Sequence, residues 1–203
     1  MEFKSTNNIE ILVVDTNKIN FKELLNNKLI NEDDIFCLEK IKNETAKKEK
    51  LVSKILIKKF VGNYYLNENG KPLSDEICFN ISHSKGLVCF ARSEKEIGID
   101  VEKIREVDEK IIDRISSKDE KAYIKNEQNF FEVWTAKEAF IKMIGSAISL
   151  NLKEIPSLPL NSFHTHGEGK YLTKTYKFKD YIISICLRTD KDYIFEIKQL
   201  ENI

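Results

Sequence analysis

The residues best suited to chemistry by type and spacing are Asp100 and Glu102, in the stretch Ile97-Gly98-Ile99-Asp100-Val101-Glu102. Read as a strand, its period-2 alternation sends Ile97, Ile99 and Val101 to one face and Gly98, Asp100 and Glu102 to the other. Two carboxylates two strand rises apart, roughly 6.6 Å between Cα atoms, can both reach one hard cation, and Gly98 is expected to leave that face open for a ligand. The competing reading is an antiparallel strand with a solvated acidic face. Glu138 and Lys142 form a second candidate, four residues apart within Trp134-Thr135-Ala136-Lys137-Glu138-Ala139-Phe140-Ile141-Lys142. A helix puts them on one face, where an ordinary surface pair contributes about 0.2–0.5 kcal/mol. Ser82-His83-Ser84 is a third candidate, although its histidine also reads as a capped loop residue. His164 and His166 could share a strand face for a metal, but no third ligand is near and their setting reads as a turn.

Elements must hold these side chains in place, and a chain of 203 residues with 41% apolar content can bury a proper core. The pattern predicts a buried strand over residues 9–15, short helices over 21–30 and from about 31, and a longer helix over 43–61. In that helix Leu51, Val52, Ile55, Leu56 and Phe60 form one stripe, and Lys47, Lys48, Lys50 and Lys54 read as its solvated face. A turn at Asn67-Glu68-Asn69-Gly70-Lys71-Pro72 precedes strands over 76–81, 87–92 and 97–102, expected to pair as a three-stranded meander. Helices follow over 107–115, 119–125 and 130–144, and strands over 170–178, 181–187 and 193–200 are expected to close a second meander. Helical material followed by three strands thus occurs twice. The lone Trp134 reads as a packing residue on its helix.

Charge and cysteine usage bound the partners. Thirty-three Lys and Arg balance thirty-three Asp and Glu, so no global field argues for nucleic acid or a membrane surface. Between Ile35 and Lys71, however, nine Lys and no Arg face four Glu and no Asp, a local net of +5 that suits an anionic partner. Cys37, Cys78, Cys89 and Cys186 lack metal-ligand spacing and read as core thiols of a reducing cytosol. The polar first eight residues and the lack of a long apolar run give no expectation of a leader or membrane span, so a cytoplasmic protein is expected.

Asn80-Ile81-Ser82-His83-Ser84, then Ile97 to Glu102, then Trp134 to Lys142, with Gly70-Lys71-Pro72 ahead of them, resemble in order and spacing the Sfp-type 4′-phosphopantetheinyl transferases. The resemblance implies an α+β fold of two pseudo-symmetric halves, each a small antiparallel sheet with packed helices, and an active site in the cleft between them. On that basis residues 1–103 would form the half that binds the nucleotide end and carries Asp100 and Glu102, and residues 104–203 the half with the motif helix. The implied reaction moves the phosphopantetheine arm of coenzyme A to a serine of an apo acyl or peptidyl carrier protein, releasing 3′,5′-ADP. The family pattern makes Asp100, Glu102 and Glu138 ligands of Mg²⁺, sets Lys142 on the diphosphate with Lys137 beside it, and leaves the general base as Glu138 or a metal-bound water. It sets Gly70, Lys71 and Pro72 at the nucleotide end and Ser82 and His83 at the 3′-phosphate. Where the family commonly has an arginine in the long N-terminal helix, this chain has Glu49, so Lys48 or Lys50 is the expected substitute. A monomer is expected. The rival readings are a Mg²⁺-dependent phosphohydrolase using the same carboxylates and a non-catalytic binder of coenzyme A or carrier protein.

Overall fold

The structure is a computed structural model and describes residues 8–68, 70–145, 151–201 and 203. Its elements in chain order are β1 (Asn8–Asp15), α1 (Phe21–Leu25), α2 (Glu32–Phe36), α3 (Glu44–Phe60), β2 (Tyr65–Leu66), β3 (Pro72–Leu73), β4 (Cys78–Ser84), β5 (Leu87–Ser93) and β6 (Ile97–Lys103). There follow α4 (Glu109–Ile115), α5 (Lys118–Tyr123), α6 (Glu127–Ile144), β7 (Phe163–His166), β8 (Gly169–Phe178), β9 (Tyr181–Arg188) and β10 (Ile194–Gln199). The architecture is α+β.

Each expected three-stranded meander is divided between two sheets. One four-stranded sheet has the order β10-β1-β5-β4 and the other β6-β9-β8-β7. β6 leaves β5 to pair antiparallel with β9, and β10 leaves β9 to pair parallel with β1. Alternation specifies which face of a strand is apolar, but not which strand lies beside it, and that is why the expected meanders are corrected here. The repeating unit is therefore strand, long helix, two strands: β1-α3-β4-β5, then β6-α6-β8-β9. The strand carrying Asp100 and Glu102 opens the second unit and pairs in the second sheet.

The layers run helix, sheet, sheet, helix. Ile9, Ile11, Val13, Cys89 and Ala91 of the first sheet meet Ile97, Ile99, Val101, Ile183 and Ile185 of the second in one shared core. The outer face of the first sheet packs Leu12, Val14 and Phe90 against Leu51, Val52, Ile55 and Leu56 of α3. α6 covers the second sheet through Ala139, Phe140 and Met143 against Tyr171 and Cys186. α2 starts with a capping box, Asn31 Oδ1 accepting from Asp34 N and Asp34 Oδ2 from Asn31 N, as the cap-like run from Asn31 to Asp34 suggests. All four cysteines are free. Cys89 and Cys186 are buried, whereas Cys37, expected in the core, is exposed after α2. Trp134 stacks beside Phe130 in the packing cluster under α6.

Candidate active site

The site forms where α6 lies across β6. A Cβ on Gly98 would fall 2.0 Å from Ala139 O and 2.4 Å from Met143 N, so only glycine lets the helix backbone come this close. The expectation that Gly98 opens a ligand face is corrected: the space is taken by α6, and the consequence is that Glu138 and Lys142 are carried onto the face of Asp100 and Glu102. One turn of helix separates Glu138 from Lys142, so both are on the side of α6 turned to the acid pair, where Lys142 bonds Asp100 and Glu138 is within the field of both acids.

Lys142 Nζ donates to Asp100 Oδ1 at 2.6 Å and to Ser82 Oγ at 2.8 Å, and Ser82 Oγ donates to the same Asp100 oxygen at 2.9 Å. Asp100 is only 5% exposed, and its Oδ2 is buried without a partner among the described residues. Burial pushes its carboxyl up; Lys142 and Ser82 pull down, Glu102 pushes up again, and the balance stays above the usual carboxylate range. Glu102 Oε2 accepts from Ser84 Oγ at 2.8 Å and from Arg105 Nη1 at 2.7 Å. Glu138 has no hydrogen-bonding partner for its carboxylate among the described residues, and burial, then Asp100, raise it, with Lys142 opposing.

Among the described residues no three side chains of the His, Cys, Asp or Glu types stand gathered as a ready metal cage. Asp100 and Glu102 are held by Lys142 and Arg105 instead. The donor chemistry nonetheless fits a hard divalent cation: three carboxylates, a buried Asp100 Oδ2 that neither Ser82 nor Lys142 engages, and mutual repulsion that a cation would relieve.

The other expected site residues fall into two groups. His83, one position on from Ser82, points to the opposite side of β4, where Nδ1 lies 3.1 Å from Glu49 Oε2 and the ring remains half-exposed. Glu49, buried on α3, also accepts from Gly86 N at 2.6 Å. It clamps the Lys85-Gly86 turn, whose two residues both have positive φ, 48° and 96°, as a two-residue hairpin between β4 and β5 requires. Burial pushes the Glu49 carboxyl up, but the bonds from His83 and Gly86 outweigh it and hold it low. Lys48 pairs with Glu44 one turn back, while Lys50 is exposed.

Three of the expected binding residues make protein contacts in the structure. Lys137 is fully buried and faces away from the acid cluster, its Nζ 2.8 Å from Glu120 and 2.6 Å from Leu152 O. Adjacent helix residues point about 100° apart, so Lys137 cannot follow Glu138 to a ligand. Lys71 Nζ donates to Lys142 O at 2.6 Å and Met143 O at 3.3 Å, closing the C-terminal end of α6, with Gly70 at φ 75° and Pro72 shaping the turn that delivers it. Ser82, expected at a phosphate, is buried within the acid cluster. Sequence reasoning assigned no role to Asn80, Ser84, Arg105 or Glu120. The period-2 placement of Asn80, Ser82 and Ser84 was the available signal for the first two. His164 and His166 lie on β7 rather than in a turn, with His164 stacked on Tyr171, and no metal set forms there among the described residues.

Residues 96–186 match the model of the family described as the 4′-phosphopantetheinyl transferase superfamily. The chain is similar to the phosphopantetheinyl transferases. The matched segment is close to the second structural unit, β6 to β9, and contains Asp100, Glu102, Glu138 and Lys142. Among curated proteins, the chain is 39% identical over 104 residues to 4′-phosphopantetheinyl transferase gsp of Aneurinibacillus migulanus, covering 48% of this chain and 40% of that one. It is 40% identical over 93 residues to transferase psf-1 of Bacillus pumilus, 41% of this chain and 40% of that one. To transferase Sfp of Bacillus subtilis strain 168 it is 37% identical over 114 residues, 51% of this chain and 47% of that one. The chain thus matches under half the length of these phosphopantetheinyl transferases.

Proposed function

We propose that this protein transfers the 4′-phosphopantetheine group of coenzyme A to a serine of an apo acyl or peptidyl carrier protein, releasing 3′,5′-ADP in a Mg²⁺-dependent reaction. The observation that carries the reading is the convergence of Asp100, Glu102, Glu138 and Lys142 where α6 crosses β6, within the segment similar to phosphopantetheinyl transferases. Phosphoryl transfer asks the protein mainly for positioning and for neutralisation of charge on the diphosphate. Asp100, through its free Oδ2, with Glu102 and Glu138 would hold Mg²⁺, which supplies that neutralisation when bound. Lys142 swings from Asp100 to the diphosphate. The carrier serine oxygen bonds to the phosphorus that bears the pantetheine arm, the bond from that phosphorus to 3′,5′-ADP breaks, and the serine proton passes to Glu138, whose carboxylate is not engaged by any hydrogen-bond donor among the described residues. In this reading His83, half-exposed on the α3 side of β4, takes the 3′-phosphate, and the exposed Lys50 of α3 is the lysine that assists it.

Among the described residues no helix is long and apolar enough to cross a membrane. With four free thiols, the reading includes a monomer working in a reducing cytosol. The test is incubation with coenzyme A, Mg²⁺ and several apo carriers, followed by intact mass. Holo carrier is the expected product. Unmodified carriers throughout, or coenzyme A hydrolysed at the diphosphate without transfer, would overturn the reading.

A further inference from the structure

The seam between the two sheets is closed by side chains. β6 pairs with β9 along one edge. From its other edge the N–H groups of Ile99, Val101 and Lys103 donate to Asn80 Oδ1 at 3.0 Å, Ser82 Oγ at 3.3 Å and Ser84 Oγ at 3.4 Å. Donors and acceptors both advance by two residues, so β4 and β6 run side by side like parallel strands with hydroxyl and amide groups in place of main-chain carbonyls.

The substitution has a chemical effect. A carbonyl can only accept, whereas a hydroxyl that accepts from an N–H must send its single proton elsewhere. At both serines that proton goes to a candidate cation ligand, from Ser82 to Asp100 Oδ1 at 2.9 Å and from Ser84 to Glu102 Oε2 at 2.8 Å. The remaining oxygens, Asp100 Oδ2 and Glu102 Oε1, have no hydrogen-bond partner among the described residues. The third rung is a built-in contrast. Asn80 lies where β6 offers Gly98 rather than an acid, and there the acceptor is an amide.

We infer that Ser82 and Ser84 are positioning residues for a divalent cation: their hydroxyls, oriented by the β6 backbone, fix one oxygen of Asp100 and of Glu102 and present the other to the ion. This rests on the reading of the acid pair given under the proposed function. It also ties the geometry of the ion site to the seam between the two units, because the same two hydroxyls serve both.

The test is direct Mn²⁺ binding, by calorimetry and by loss of the free-ion paramagnetic signal, on the full chain without coenzyme A or carrier. Ser84→Ala is expected to weaken Mn²⁺ binding roughly tenfold, the lower end for loss of a group that orients a ligand, since Arg105 also holds Glu102. Ser84→Thr keeps the hydroxyl and should bind as wild type does. Asn80→Ala removes a rung that touches no acid, so it should lower the melting temperature while leaving Mn²⁺ affinity in place. Unchanged affinity in Ser84→Ala, or equal losses in Ser84→Ala and Asn80→Ala, would overturn the inference. Wild type that binds no Mn²⁺ yet modifies a carrier overturns this inference and leaves the transferase reading standing. Wild type that binds Mn²⁺ but modifies no carrier removes the transferase reading and leaves the serine comparison to decide the rest.

Discussion

Asp34 and Asp100 are buried to nearly the same degree, 4% and 5% exposed, and each meets lysine from a long helix, yet they end in opposite states. Asp34 has both oxygens occupied: Lys54 holds Oδ1 at 2.7 Å, and Lys58 and Asn31 N hold Oδ2. Burial pushes its carboxyl up, but the two ammonium groups and the cap outweigh it, and the balance is below the usual carboxylate value. Asp100 has one lysine, one orphaned oxygen and two carboxylate neighbours, and its carboxyl is held high. A buried acid that serves structure has its partners supplied, whereas one kept under-compensated is arranged for a ligand. The helices follow the same division. Leu12 and Val14 of β1 meet α3 in an apolar seam, and the equivalent face of β6 offers α6 a glycine and two acids.

The largest expected effect lies at the open end of this comparison. Glu138→Gln keeps the shape of the side chain and removes the proposed base, so transfer to carrier should fall by about 10²- to 10⁴-fold in kcat. Its melting temperature should stay at or above that of wild type, because a charge crowded by Asp100 is removed. Near-normal turnover by intact mass would show that Glu138 takes no proton. The closed end should respond the other way. Asp34→Ala leaves Lys54 and Lys58 without their carboxylate, and denaturant titration should show a loss on the order of 3 kcal/mol, with transfer per folded molecule unaffected. A cost near zero would mean the two lysines simply turn to solvent.

Gly98→Ala should come next. The added Cβ meets main-chain atoms of Ala139 and Met143, which cannot swing aside as a side chain would, so α6 must lift. The expected cost is about 1–3 kcal/mol, with lower turnover because Glu138 and Lys142 move with the helix. Lost activity without lost stability would point to a ligand on that face after all.

These residues also show what could be read before the fold was known. The long helices, the cap at Asn31 and the ordered motif blocks were legible because each is carried by local spacing. Strand partnership was not, and neither was the fate of Lys137, whose partner Glu120 lies seventeen residues away on another helix. Lys71 was equally opaque, because a lysine after a turn does not declare whether it will meet a ligand or the end of a helix.

Acidity separates the two aspartates further. The Asp34 carboxyl is lower in the fold than its ordinary value of 3.8, so its contribution is complete above that pH and is lost as pH falls through the folded value. Asp100 has the opposite sign. Its folded carboxyl is raised, so the ionised form opposes folding near neutrality and that cost fades as pH falls through the raised value. In chelator, the stability difference between Asp100→Asn and wild type should therefore shrink on going from pH 7 toward about 4, while the Asp34→Asn deficit should stay constant until about pH 4 and shrink only below it. Parallel profiles for the two variants would erase the distinction between them.

The smallest effect is expected at Glu49, which belongs to neither extreme: it is buried and satisfied, yet its partner His83 is half-exposed. Glu49→Gln can keep the bond from Gly86 N through its amide oxygen, so the Lys85-Gly86 turn should survive with a loss of about 1 kcal/mol. What changes is the field around His83, where a negative charge disappears. If His83 meets the 3′-phosphate, that phosphate is repelled by Glu49 in wild type, and the variant should take coenzyme A with a KM about threefold lower, the scale of a half-exposed charge interaction. Dephospho-coenzyme A, lacking the 3′-phosphate, should show no change. Weaker use of both substrates would instead assign Glu49 to holding the turn alone, and improved use of both would move His83 away from the 3′-phosphate and toward a part of the ligand that the two share.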